Sequence, residues 1–220
     1  CQTTTVQGEF CGDGIANGPE ACDGADVPTC AELNAAAPYG TVTCNGSCQT
    51  VVSCSTDPCA GQPTVFNGNV TLDGSAAPAG VSHPECITTI NGAVTVQGTF
   101  SGAPTVQFPR LRAIVKASPT ALTITAWPSG YALFPALEAA NSITISGAGV
   151  NGATVLLPAL IDGSTTAGLQ GITPLTFINT SGVTLDAPAL RSAVLSVQAT
   201  ASNIHLDQES GADMILAING

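Results

Sequence analysis

From Val94 onward the chain alternates aliphatic and small polar residues in short runs. They are Val94-Thr95-Val96, Leu122-Thr123-Ile124, Ile143-Thr144-Ile145 and Leu175-Thr176-Phe177. A period of two predicts strands with the aliphatic side chains on one face and Thr on the other. Each run is followed, 13 to 15 residues after its start, by a Pro-x-Leu step at Pro109, Pro135, Pro158 or Pro188. These prolines are 26, 23 and 30 residues apart. A fifth run, Leu195-Ser196-Val197, has no such proline after it. Second strands follow the same rule, with Val155, Leu157, Val183, Leu185, Ile204 and Leu206 predicted to face inward. Gly and Asn supply the corners, as at Asn91-Gly92 and Asn151-Gly152, where positive φ is accessible. Apolar spacing of 3.6 is missing and Gly and Pro interrupt every window, so helices are excluded. The repeat predicts an all-β chain, a β-solenoid of about five coils in which each coil buries its inside against its neighbours.

The first 86 residues follow a different pattern. They hold nine acids, no Lys or Arg and all nine cysteines, whereas residues 87–220 hold six acids, four bases and no cysteine. This predicts a tether over 1–10, a disulfide module over 11–58 and a solenoid domain over 59–220. Net charge is −11 and only 9% of residues are charged. No basic footprint exists for a phosphate backbone, which excludes nucleic-acid partners. The 44% hydrophobic content excludes a disordered chain. Gly, Ser, Asn and Pro158 break up the longest charge-free stretch, Ala139 to Ile161, so no run of about 20 apolar residues spans a bilayer.

Nine cysteines at this density point to an oxidising compartment. The spacings Cys44–Cys48 and Cys54–Cys59 are too wide for a typical zinc knuckle. An odd count leaves one over, and Cys1 is the natural candidate. A chain starting on cysteine looks like a mature bacterial lipoprotein with lipid on Cys1, Thr3-Thr4-Thr5 serving as tether. That predicts a protein anchored at the outer-membrane surface, touching membrane only through this lipid; an intermolecular disulfide is the competing reading. Cys59 and Cys86 bracket a hairpin-like stretch, Val65 to Leu72, and are paired as a cap on the second domain. Cys11, Cys22, Cys30, Cys44, Cys48 and Cys54 leave 15 pairings open. Asp13, Glu20, Asp23 and Asp26 fall among glycines in the same module. Hard oxygen donors on tight turns suit calcium, although their spacing is not that of an EF-hand; a solvated acidic loop is the competing reading.

Two stretches carry a resemblance. Cys11-Gly-Asp-Gly-Ile-Ala-Asn-Gly-Pro-Glu-Ala-Cys22-Asp-Gly, with Cys30, Cys44, Cys48 and Cys54, resembles the cysteine-rich repeat of myxobacterial surface proteins. That implies an extracellular spacer or presentation module over 11–54 with no catalytic role. Cys59 through Cys86, Ile87-Thr-Thr-Ile90-Asn-Gly92 and Phe108-Pro-Arg-Leu111-Arg-Ala-Ile114 look like the receptor L domain. That resemblance, over 59–220, implies a single-stranded right-handed β-helix with a disulfide near its N-terminal end. The family's ligand does not carry over with its fold.

Catalytic material is sparse. His83 sits in a loop beside Pro84, and His205 and Asp207 share one strand face without an activated nucleophile. Asp186 and Asp207 follow equivalent strand ends, and paired carboxylates can cleave glycosides, so a polysaccharide-acting enzyme is the third reading. The outward row is more informative. Thr95, Thr123, Thr125, Thr144, Thr176 and Ser196 predict a flat, uncharged, hydroxyl-lined face suited to a protein, a glycan or ice. Thr also simply suits an exposed strand. Asp213 to Gly220 predicts one more apolar strand with no charged capping helix after it, an end that invites stacking on another chain. The leading expectation is a non-catalytic extracellular protein of the cell surface, assembling into a fibre, an array or another homo-oligomer. The alternative is a lipid-anchored receptor or adhesin for a protein or glycan.

Overall fold

A computed structural model of the chain describes residues 11–74, 78–100, 106–115, 120–161, 173–190, 192–198, 205–207 and 215–219. Cys1 and Ile204, and with Cys1 the lipid attachment and the tether, lie outside the described residues. The chain divides into two compact units, Cys1–Gln62 and Pro63–Gly220.

The first unit contains one turn of α-helix, Cys30–Leu33, and a hairpin of β1 (Tyr39–Cys44) and β2 (Thr50–Ser55). Thr29 and Glu32 close a reciprocal capping box on the helix: Glu32 N–H donates to the Thr29 hydroxyl, and Glu32 Oε2 accepts from Thr29 N–H at 2.7 Å. Two of the four free N–H groups at the helix start are satisfied this way. Three disulfides hold the unit together: Cys11–Cys48, Cys22–Cys44 and Cys30–Cys54. Cys59 and Cys86 are disulfide-bonded as well. Besides Cys22, Cys30, Cys48 and Cys59, the one described residue buried in this unit is Asp23. Sulfur and a carboxylate occupy the place of an aliphatic core.

The second unit is built from parallel strands in three sheets. Its strands are β3 (Val65–Asn67), β4 (Val70–Leu72), β5 (Thr89–Asn91), β6 (Val94–Val96), β7 (Ala113–Ile114) and β8 (Leu122–Ile124). They continue with β9 (Ala139–Ala140), β10 (Ile143–Ser146), β11 (Thr154–Leu156), β12 (Thr173–Ile178) and β13 (Thr184–Asp186). The last are β14 (Ser192–Gln198), β15 (His205–Asp207) and β16 (Ile215–Asn219). One sheet runs β4-β6-β8-β10-β12-β14-β16, a second β3-β5-β7-β9 and a third β11-β13-β15, each strand beside its counterpart from the next repeat.

Val65 to Leu72 is not a hairpin. β3 pairs with β5 and β4 with β6, both parallel, so Asn67-Gly68-Asn69 passes the chain from one sheet to the next. Two short runs flanking Asn and Gly look alike whether they fold back or turn a corner. Pairing partners further along the chain decide between the two.

Alternation sets the core. Val70, Val94, Leu122, Ile143 and Leu175 align in register, as do Leu72, Val96, Ile124, Ile145 and Phe177. All ten are buried and belong to one hydrophobic cluster that also holds Val155, Leu157, Val183 and Leu185. The Pro-x-Leu steps form four equivalent turns. The N–H groups of Leu111, Leu137, Leu160 and Leu190 donate to the carbonyls of Phe108, Phe134, Leu157 and Ala187, at 3.3, 3.3, 3.1 and 3.0 Å. Proline at the second position presets φ for such a turn, and each Leu is buried. Successive repeats are tied along one edge by backbone bonds from Thr88 to Thr64, Arg112 to Thr88, Glu138 to Arg112 and Ile161 to Glu138. The described residues therefore form an all-β fold with parallel sheets and disulfides, and its single α-helix is four residues long.

Candidate functional site

The seven-stranded sheet places one hydroxyl row on its outer face. Between the two buried rows, Thr71, Thr95, Thr123, Thr144, Thr176 and Ser196 occupy consecutive register positions, with Asn219 next in line. Neighbouring strands lie about 4.8 Å apart, so the row repeats at that interval. Unequal repeats do not break it, because the registers of the paired strands hold while intervening segments absorb the difference. Thr71 is exposed and the following five are half-buried. Thr125 follows β8, and its hydroxyl donates to the Val96 carbonyl at 3.2 Å. It is committed to the backbone, whereas Thr71 joins the row one strand ahead of the repeat visible in the sequence.

In the first unit, Asp13, Glu20, Asp23 and Asp26 have separate roles. The Asp23 carboxylate accepts from Gly12 N–H at 2.9 Å to each oxygen, from Asp13 N–H at 2.8 Å and from Gly14 N–H at 3.0 Å. Gly12 and Gly14 have φ of +104° and +90°, a region costly for residues with a Cβ. It turns their amides inward as an anion-binding nest. Burial pushes the Asp23 carboxyl up, but bonds from Gly12, Gly14 and Asp13 outweigh it and hold the group below its ordinary range. Asp13 Oδ1 accepts from Ile15 N–H and Asp26 Oδ2 from Ala16 N–H. Glu20 and Asp23 bring carboxylate oxygens within 4.8 Å of each other and of Cys48 Sγ, but that sulfur belongs to the disulfide with Cys11. Asp13, Asp23 and Asp26 thus serve as acceptors that close turns, whereas Glu20 Oε2 is buried with no hydrogen-bond partner among the described residues.

The second unit has a cavity of about 510 Å³ lined by Thr88, Pro109, Arg110, Arg112 and Ala136. It gathers two of the chain's four cationic side chains. Arg112 lies 3.6 Å from Glu138 and its side chain is 67% exposed, so this pair is a weak surface contact. Two guanidiniums beside a hydroxyl and an apolar floor suit an anionic group.

The catalytic candidates fall into separate groups. His83 Nδ1 lies 3.2 Å from Glu85 Oε1, and both side chains are about half exposed. Glu85 falls below the ordinary carboxyl range, first through its own backbone N–H and then through His83. Asp186 and Asp207 are register partners on β13 and β15, as are Thr184 and His205. No helix of the described residues is long and apolar enough to cross a membrane. No protein-family model, curated protein or solved structure matches the chain.

Proposed function

We propose that Pro63–Gly220 is a right-handed β-solenoid of the receptor L domain kind and that the protein is a non-catalytic structural or adhesive component of the cell surface. Its disulfides suit an extracellular, secreted environment. The observation that carries the proposal is the in-register row Thr71, Thr95, Thr123, Thr144, Thr176 and Ser196. Such an uncharged row buries no ionic group on meeting a second surface, its hydroxyls can pair with those of the facing row, and its period matches that of another copy of itself. Self-assembly through this face is the leading role.

A receptor or adhesin role is the second reading, favoured by the Arg110 and Arg112 cavity, which would take an anionic group of a protein or glycan. Light scattering with size-exclusion chromatography, followed by negative-stain imaging of native protein, tests the first reading. Concentration-dependent oligomers or filaments are expected. Discrete monomers at every concentration, with retention on an acidic glycan column, would replace it with the second.

A further inference from the structure

The chain contains six Asn-Gly pairs, at Asn17, Asn45, Asn67, Asn91, Asn151 and Asn219, and five of them have both residues among those described. Asn-Gly is the dipeptide most open to intramolecular deamidation, because glycine puts no side chain in the way of its own amide. The geometry points to Asn45-Gly46, in the loop between β1 and β2, as a built-in modification site that converts to aspartate and isoaspartate without an enzyme.

Three features single it out. Asn45 Oδ1 accepts from Ser47 N–H at 2.9 Å and from Gln49 N–H at 3.0 Å. Two amide donors on one side-chain carbonyl polarise Cγ and stabilise the oxyanion that forms when it is attacked. The attacking group is Gly46 N, whose N–H has no acceptor among the described residues. Gly46 also lies in open space, with nothing within 4 Å of where a Cβ would stand, and both residues are exposed.

The other pairs lack this combination. Gly68 N–H is committed to the Asn91 carbonyl, and Asn91 Nδ2 to Asn67 Oδ1 at 2.8 Å. Asn91 is held at both its carbonyl, which accepts from Gly68 N–H, and its side-chain amide, so its Cγ is not free to swing toward Gly92 N. Asn151 Oδ1 accepts from Ser181 N–H, but Gly152 N–H is held by the Ser181 carbonyl at 2.9 Å. Asn17 Oδ1 is buried with no donor among the described residues. Hydrogen bonds between neighbouring repeats thus tie down three pairs whose Asn residues are also exposed, whereas the Gly46 N–H in the β1–β2 loop is left without an acceptor among the described residues.

The chemistry needs only water and a base. Gly46 N gives its proton to solvent and bonds to Asn45 Cγ; Nδ2 takes a proton back from solvent, the Cγ–Nδ2 bond breaks and ammonia leaves, giving a cyclic imide. Water then opens either imide carbonyl to give aspartate or isoaspartate. Each event adds a negative charge between Cys44 and Cys48, which are bonded to Cys22 and Cys11.

Peptide mapping by mass spectrometry tests this on the intact, disulfide-bonded chain held at mildly alkaline pH. Asn45 is expected to convert about tenfold faster than Asn67, Asn91 or Asn151. Equal rates, or earlier conversion at any of those three, would overturn the inference. In reduced, unfolded chain the rates should converge; a persisting lead for Asn45 would assign the preference to local sequence and overturn the structural account. Gly46→Ala, which fits the open space, should slow Asn45 severalfold by placing a methyl beside the attacking nitrogen, while Cys11–Cys48 and Cys22–Cys44 still form. An unchanged Asn45 rate in that variant would also overturn it.

Discussion

The two units share a chain but not a way of holding together. In Pro63–Gly220 one aliphatic cluster runs from Val70 to Leu190. In Cys1–Gln62 the buried described residues are four cysteines and Asp23, while Ile15, Leu33, Tyr39, Val51 and Val52 are exposed. A unit of some 60 residues that cannot bury enough apolar surface must be cross-linked. A stack of strands adds core with every repeat and does not need such links. Stability in the first unit therefore resides in covalent loops and one buried carboxylate, and in the second mainly in packing, with the disulfide-bonded Cys86 near its start.

Each way of breaking one unit should spare the other. Phe177→Ala empties a fully buried site and should cost the second unit about 3–5 kcal/mol, read as a drop in its calorimetric transition alone. Replacing Cys30 and Cys54 together by Ser opens a 24-residue separation and should cost the first unit about 3 kcal/mol. Equal shifts in both transitions after either change would mean the units are not independent.

Acid sharpens the contrast further. The Asp23 carboxyl is held below its ordinary value, and so is that of Glu32, through the Thr29 N–H and hydroxyl. A depressed folded-state value stabilises the fold above the unfolded-state pKa, and this contribution is lost as pH falls through the folded-state value. The first unit's melting temperature should therefore fall below about pH 4. Asp23→Asn should flatten that slope, measured by calorimetry across the acid range. The smallest effect is expected from calcium: the Asp23 oxygens already face amide hydrogens, so excess calcium or chelator should leave the first unit's melting temperature unchanged.

The strands of the large sheet were legible because Val-Thr-Val, Leu-Thr-Ile and Ile-Thr-Ile alternate strictly, and their hydroxyls fall into one row. Thr71 was hidden because its strand precedes the Pro-x-Leu repeat. The β3-β5-β7-β9 sheet was harder to see, since Ala113-Ile114 and Ala139-Ala140 are too short to show a period. Their pairing comes from stacking on neighbours. Asp23 looks like Asp13 and Asp26 in sequence; only the fold around Gly12 and Gly14 makes it the buried one. The disulfides Cys11–Cys48, Cys22–Cys44 and Cys30–Cys54 are one of 15 pairings and depend on the same tertiary proximity.

The row itself is the claim most open to direct attack. Thr123→Lys with Thr144→Lys puts two like charges side by side at its centre, on side chains that already face outward from half-buried positions. Analytical ultracentrifugation of this variant and the native chain, at matched secondary structure and melting temperature, decides the matter. Self-assembly through the row predicts concentration-dependent assembly of the native chain and monomers for the variant. Identical sedimentation of the two, assembled or monomeric, would contradict it.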